Sequence, residues 1–313
     1  MAGQDLREDE YMHVADFPRP TDDNGRGVHW SASVYHPSGA ELQAWIANLQ
    51  AMGMKWVKLL DDGGVSSLEV CQRLLEADIM PIVRLWRDRP NPGHLDGRQL
   101  DAVDRLITQG VRYFETNNEP DLPAEWRGPK PEAWLELVID NFIWDADAII
   151  EMGGLPALPA MGDGGGDNPF AVVVDKGRAD LFKRGAWAAI HNYTLNHPLD
   201  YPDDDVNQLG RPVTAAEYAE RALWAHSSLT YDDLLATGVE IARSDYERFG
   251  KWAWDGRSMA AVNERRARDA NPGQTVFDDS NCFRRWEVVG QMALDALGFH
   301  VPVISTEGGP VMG

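Results

Sequence analysis

From residue 27 onward the chain alternates short β-prone runs with amphipathic helical stretches, and no other feature restricts its fold as much. GVHWSASVYH (27–36) precedes SGAELQAWIANLQAMG (38–53), whose apolar residues recur at three- and four-residue spacing. The pairs KWVKLLDD (55–62) with SSLEVCQRLLEAD (66–78) and MPIVRLW (80–86) with GRQLDAVDRLITQG (97–110) repeat the unit. VRYFETNNEP (111–120) leads into the long helical stretch 131–153, and LPALPAMGD (155–163) into 171–185. AWAAIHNYTLN (186–196) is a sixth strand. A polar, aromatic stretch from about 197 to 283 interrupts the rhythm, which resumes with the helix 283–298 and the strand VPVISTEGG (301–309).

Strand–helix units of this length join parallel strands through right-handed crossovers. Seven of them, with neither a G-x-G-x-x-G turn nor a Walker lysine, fit a (β/α)8 barrel better than an open doubly wound sheet. The expected fold is therefore an α/β barrel over 27–313, preceded by a lead-in at 1–26 and carrying a long insertion after strand six. The count of seven leaves two alternatives: an eighth strand lies before residue 27, or the chain stops after the seventh. No linker divides the sequence, so one domain is expected.

A net charge of -21 disfavours nucleic acid and anionic membrane surfaces as partners, since both would be repelled. No run of about 18 apolar residues spans a bilayer. The N-terminus has no apolar signal-like core, which leaves a cytoplasmic protein, or a secreted one without its signal, as the alternatives. Cys71 and Cys282 imply no disulfide framework. His13, His29, His36 and His94 lack zinc spacing, and the acidic loops at 161–168 and 200–205 lack that of an EF-hand. Neither a metal nor a cofactor is expected, and oligomeric state is not legible.

In such a barrel the chemistry lies at the C-terminal ends of the strands. Two glutamates occupy those ends, Glu119 on strand four and Glu307 on strand seven. Two carboxyl groups facing each other across about 5 Å meet the requirement for double-displacement glycoside hydrolysis. Among the twelve tryptophans, Trp30, Trp86 and Trp126 are candidate stacking surfaces for sugar rings, while Trp187 sits early in its strand and reads as core. Arg84, a charge inside the apolar run PIVRLW, needs a carboxylate partner: Glu119, Glu307 or Asp61.

Asn118-Glu119-Pro120 at strand four and Ser305-Thr306-Glu307-Gly308 at strand seven resemble clan A glycoside hydrolases, the retaining (β/α)8 enzymes that include families 5 and 39. The resemblance implies Glu119 as general acid/base, Glu307 as nucleophile and Asn118 as a contact to the sugar 2-hydroxyl. His191-Asn192-Tyr193 matches the H-x-Y pattern common at strand six, implying that Tyr193 bonds the nucleophile and His191 lines the pocket. The sequence departs from family 5 in placing Lys58 where strand two usually ends in arginine, and in offering no eighth-strand tryptophan. The expected activity is retaining hydrolysis of a β-linked oligo- or polysaccharide. The alternatives are a sugar-binding barrel without catalysis and a different barrel enzyme, such as an aldolase using Lys58 or a metal-dependent hydrolase.

Overall fold

A computed structural model describes residues 11–30, 34–64, 66–162, 167–194, 197–218 and 259–309. Among the described residues, seven parallel strands follow one another round a single sheet in chain order. They are β1 (Gly27–His29), β2 (Trp56–Asp61), β3 (Met80–Leu85), β4 (Tyr113–Glu115), β5 (Leu155–Leu158), β6 (Trp187–Tyr193) and β7 (Val303–Gly309). Because each strand pairs only with its sequence neighbours, every crossover must run over the outside. The sheet curls far enough for Lys58 of β2 to reach Glu307 of β7, giving a nearly closed barrel of the (β/α)8 type.

The crossovers are α1 (Gly39–Ala51), α2 (Leu68–Glu76), α3 (Gly97–Thr108), α4 (Trp134–Glu151), α5 (Pro169–Asp175) and α6 (Asp180–Lys183). Their buried residues keep helical spacing, as in Val70, Cys71 and Leu74 of α2 or Val138, Ile139, Phe142 and Ile149 of α4. Fully burying each large apolar side chain is worth about 1.5–3 kcal/mol, and this outer layer holds most of them. The expected helix 171–185 is two helices. Gly177, with φ +69, ends the first in a conformation that other residues avoid.

Inside the barrel, Met80, Tyr113, Leu155 and Trp187 come from the first residues of four strands and pack on Phe17. The lead-in therefore plugs the N-terminal end, fixed by a 2.6 Å hydrogen bond from the Tyr113 hydroxyl to the Pro18 carbonyl. With that end closed, polar side chains collect at the other.

Two compact units are distinguishable. The first, Met1–Asn192 with Arg285–Gly308, holds the barrel and the helix α9 (Arg285–Leu297). The second is Tyr193–Arg284 with Gly309–Gly313. It contains α7 (Asp205–Leu209) and α8 (Met259–Asp269), and Asn263 of α8 accepts from the Val213 amide at 2.7 Å.

Candidate active site

The first turn of chain beyond β4 explains the shape of the site. Sheet pairing stops at Glu115, earlier than VRYFETNNEP suggests, because the following amides take other partners. Asn117 and Asn91 exchange side-chain hydrogen bonds of 2.8 and 3.2 Å, both residues being buried. Asn117 also accepts from the Asn118 backbone amide. The chain then turns through Glu119 at φ +32, a left-handed conformation for a non-glycine residue standing before proline. Such backbone costs about 1–3 kcal/mol and persists where surrounding contacts hold it. Here it brings the Glu119 carboxylate to His191, whose Nδ1 lies 2.7 Å from Oε1.

Glu307 sits at the centre of the site. Its Oε1 accepts hydrogen bonds of 2.9 Å from both Lys58 Nζ and Arg84 Nη1. His29 Nδ1 and His191 Nε2 each lie 3.8 Å from the same oxygen. Burial, reinforced by the Lys58 charge, pushes the His29 imidazole down to about 4, so it stands neutral beside this carboxylate near pH 7. Lys58 continues at 2.9 Å to Glu115, which is fully enclosed by the barrel. Burial alone would raise the Glu115 carboxyl, but Lys58, Arg84 and His191 outweigh it and hold it below the ordinary range.

Behind Glu307 the packing against β6 is tight. A Cβ on Gly308 would come within 2.2 Å of Asn192 Oδ1, the atom that accepts from Ser305 at 2.5 Å. Arg285 ties the same strand down by donating to the His191 carbonyl at 3.2 Å.

Glu119, His191 and Glu307 each offer an atom within 4.8 Å of the other two. A divalent ion could bridge that spacing, but Lys58 and Arg84 already place two positive charges on Glu307 and would repel the ion. Lys58 is likewise engaged as a bridge between two carboxylates, a poor setting for a Schiff base.

The other residues singled out from sequence divide. Asn118 joins the site, donating to Glu125 at 2.9 Å and accepting from Arg84. Arg84 pairs with Glu307 rather than Asp61, which instead accepts from Gly63 and Ser67. Trp86 presents an exposed face. Trp126 does not: it is 3% exposed and donates its indole N–H to the Pro120 carbonyl, so no face remains for a sugar. Trp30 packs on Trp45 of α1 with ring centroids 4.3 Å apart, between sheet and helix rather than in the cleft. Trp187 is core. Tyr193 is the final residue of β6 and belongs to the second compact unit.

Of the two acidic loops, Asp163 lies outside the described residues. Asn168 caps α5, while Asp204 caps α7 and Asp203 pairs with Arg284. Four contributors escaped the sequence reading: Glu115, His29, Glu125 and the bridging role of Lys58. Glu115 lies two and four residues before Asn117 and Glu119, and Lys58 is a lone charge in the buried run WVKLLD, so both carried a signal. His29 carried none.

No family model matches this sequence, and no curated protein matches it. In fold the chain is similar to a Parabacteroides merdae β-glucuronidase, with 12% identity, TM-score 0.30, and 55% of this chain and 25% of that one covered. It is similar to a family 51 α-L-arabinofuranosidase from Bifidobacterium longum, with 12% identity, TM-score 0.39, and 91% and 55% covered. A third likeness is to a GH5-4 broad-specificity endoglucanase from Ruminococcus champanellensis, with 13% identity, TM-score 0.30, and 70% and 75% covered. The chain thus spans a quarter of the first protein and about half of the second. Likenesses this distant leave function to be argued from the side chains.

Proposed function

We propose that this chain is a retaining glycoside hydrolase acting on β-linked glycans. One observation carries the reading: oxygens of Glu119 and Glu307 lie within 4.8 Å of each other at one end of the barrel. Retaining enzymes hold their carboxyl groups about 5–5.5 Å apart, whereas inverting ones need about 6.5–9.5 Å to admit a water.

The surroundings separate the two roles. Lys58 and Arg84 both contact Glu307 and favour its carboxylate form, as a nucleophile requires. Lys58, Arg84, His29 and His191 all approach it at Oε1. Glu119 has no lysine or arginine within 4 Å among the described residues; its partner is His191, a group able to share a proton with it. In the first step a carboxylate oxygen of Glu307 forms a bond to the anomeric carbon while Glu119 gives its proton to the departing oxygen. In the second, Glu119 takes a proton from water, whose oxygen displaces Glu307 and restores the original configuration.

Glu119→Gln and Glu307→Gln each remove one carboxyl group while keeping the side chain's shape. Each is expected to lower turnover by at least about 10²-fold with an unchanged circular dichroism spectrum. NMR of the first-formed product should show retained anomeric configuration. Full activity in either variant, or an inverted product, would overturn the assignment.

A further inference from the structure

Next to the Arg84–Glu307 pair, the β3–α3 and β4–α4 loops line a partly open pocket of about 190 Å³. Its lining includes Arg84, Trp86, Arg87, Arg89, Asn118 and Glu125. At roughly 30 Å³ per liquid water this is room for about six waters, the scale of one pyranose ring. Arg84 and Asn118 belong to this cavity and to the Glu307 centre alike, so a sugar here would adjoin the bond being cut.

The walls are built in advance. Asn91 pairs its side chain with Asn117, accepts from the Arg127 amide at 2.8 Å and donates its own amide to the Glu125 carbonyl at 3.1 Å. Those bonds strap the two loops together without any ligand.

The charge of the lining is unusual for so acidic a chain. Three arginines face two acids, Asp88 and Glu125, and Glu125 already holds the Asn118 amide. Arg84 is matched by Glu307. Arg87 donates to the carbonyls of His94 and Thr116, which carry no net charge, and its buried Nε has no hydrogen-bond partner. Among the described residues, neither Arg87 nor Arg89 has a carboxylate within 4 Å. Arg89 is exposed and held at φ +48, a left-handed backbone that turns a long cationic side chain where a glycine would relieve the strain. Beside them lies the exposed ring of Trp86.

From this arrangement we infer that the cavity is a subsite for an acidic sugar, with Arg87 and Arg89 receiving a carboxylate or sulfate substituent and Trp86 stacking on the ring. The inference rests on the hydrolase reading for its orientation toward Glu307, and it narrows the substrate from β-linked glycans to acidic ones. Guanidinium groups suit both anions, since their planar N–H forks match paired oxygens.

The test uses three β-linked glucose oligomers of equal length: one unmodified, one containing a glucuronic acid residue and one containing a 6-sulfated glucose. Affinities are measured by calorimetry on the Glu119→Gln protein, and kcat/KM on the wild type. One acidic oligomer at least should bind about tenfold more tightly than the neutral one, a preference that shrinks as salt rises. Whichever acidic oligomer prevails identifies the substituent. Adding Arg89→Asn, an exposed change to a residue that tolerates positive φ, should reduce that preference at least about fivefold. Arg87→Gln should do the same, and Arg89→Asn decides the matter if that protein fails to fold. Equal affinity for all three oligomers, or a preference indifferent to Arg89, would overturn the subsite. Preferential, Arg89-dependent binding without any hydrolysis would instead uphold the subsite and sink the hydrolase reading. Hydrolysis without preference would do the reverse.

Discussion

Asp145 offers a quantitative check on the packing beneath the site. It lies on α4, is 2% exposed, and accepts at 2.8 Å from the Leu95 amide in the β3–α3 loop. Burial pushes its carboxyl up to about 7, against the opposing influence of the Leu95 amide, Arg87 and His94. In the unfolded chain the same group titrates near 3.9. Below about pH 4 both states hold the proton and Asp145 costs nothing. Between about pH 4 and 7 the unfolded state releases its proton while the folded state keeps it, so stability falls with rising pH. A shift of about three units at about 1.36 kcal/mol each sets the total near 4 kcal/mol. Asp145→Asn retains an oxygen for Leu95 and cannot ionise. Urea unfolding followed by tryptophan fluorescence from pH 4.5 to 8.5 should show the variant gaining on the wild type as pH rises. The gain should level off above about pH 7 at a few kcal/mol. A difference independent of pH would refute a buried, proton-holding Asp145.

Two further outcomes follow from the site. Lys58→Met strands Glu115 beside Glu307 without their shared cation and should destabilise the fold by about 3–5 kcal/mol. Adding Glu115→Gln should recover part of that loss, and a wild-type melting temperature for Lys58→Met would contradict the bridge. The two loop tryptophans should separate by assay. Trp86→Ala is expected to raise KM several-fold with little change in melting temperature, consistent with a solvent-facing ring. Trp126→Ala should cost about 3–5 kcal/mol of stability as a buried ring with a bonded indole N–H. Identical effects of the two on stability would refute the contrast.

The barrel was legible because its crossovers are long and strongly periodic, which fixes both element type and parallel pairing. Boundaries were less so. Thr116–Asn118 read as strand by composition, but the side-chain amides of Asn117 and Asn118 donate to Asn91 and Glu125 in the loops and take the chain out of the sheet. The lone charge in PIVRLW announced a buried carboxylate partner, and that partner is Glu307. The same logic applied to Lys58 would have found Glu115. Trp126 could not be placed, because its burial depends on the pairing of Asn91 with its loop, a contact between segments 35 residues apart in number. Trp30 failed for a similar reason: whether a residue just past a short strand faces the cleft or a helix turns on where pairing ends, here at His29.

The route of the chain also orders the assembly of this centre. The Tyr193–Arg284 excursion separates β6 from β7, so on the ribosome one rim of the sheet waits unpaired while it is made. Lys58 and Arg84 are synthesised long before Glu307, the acidic residue that they share. Until β7 arrives, Lys58 and Arg84 lack the carboxylate they share, and the pairing of β7 beside β6 supplies it.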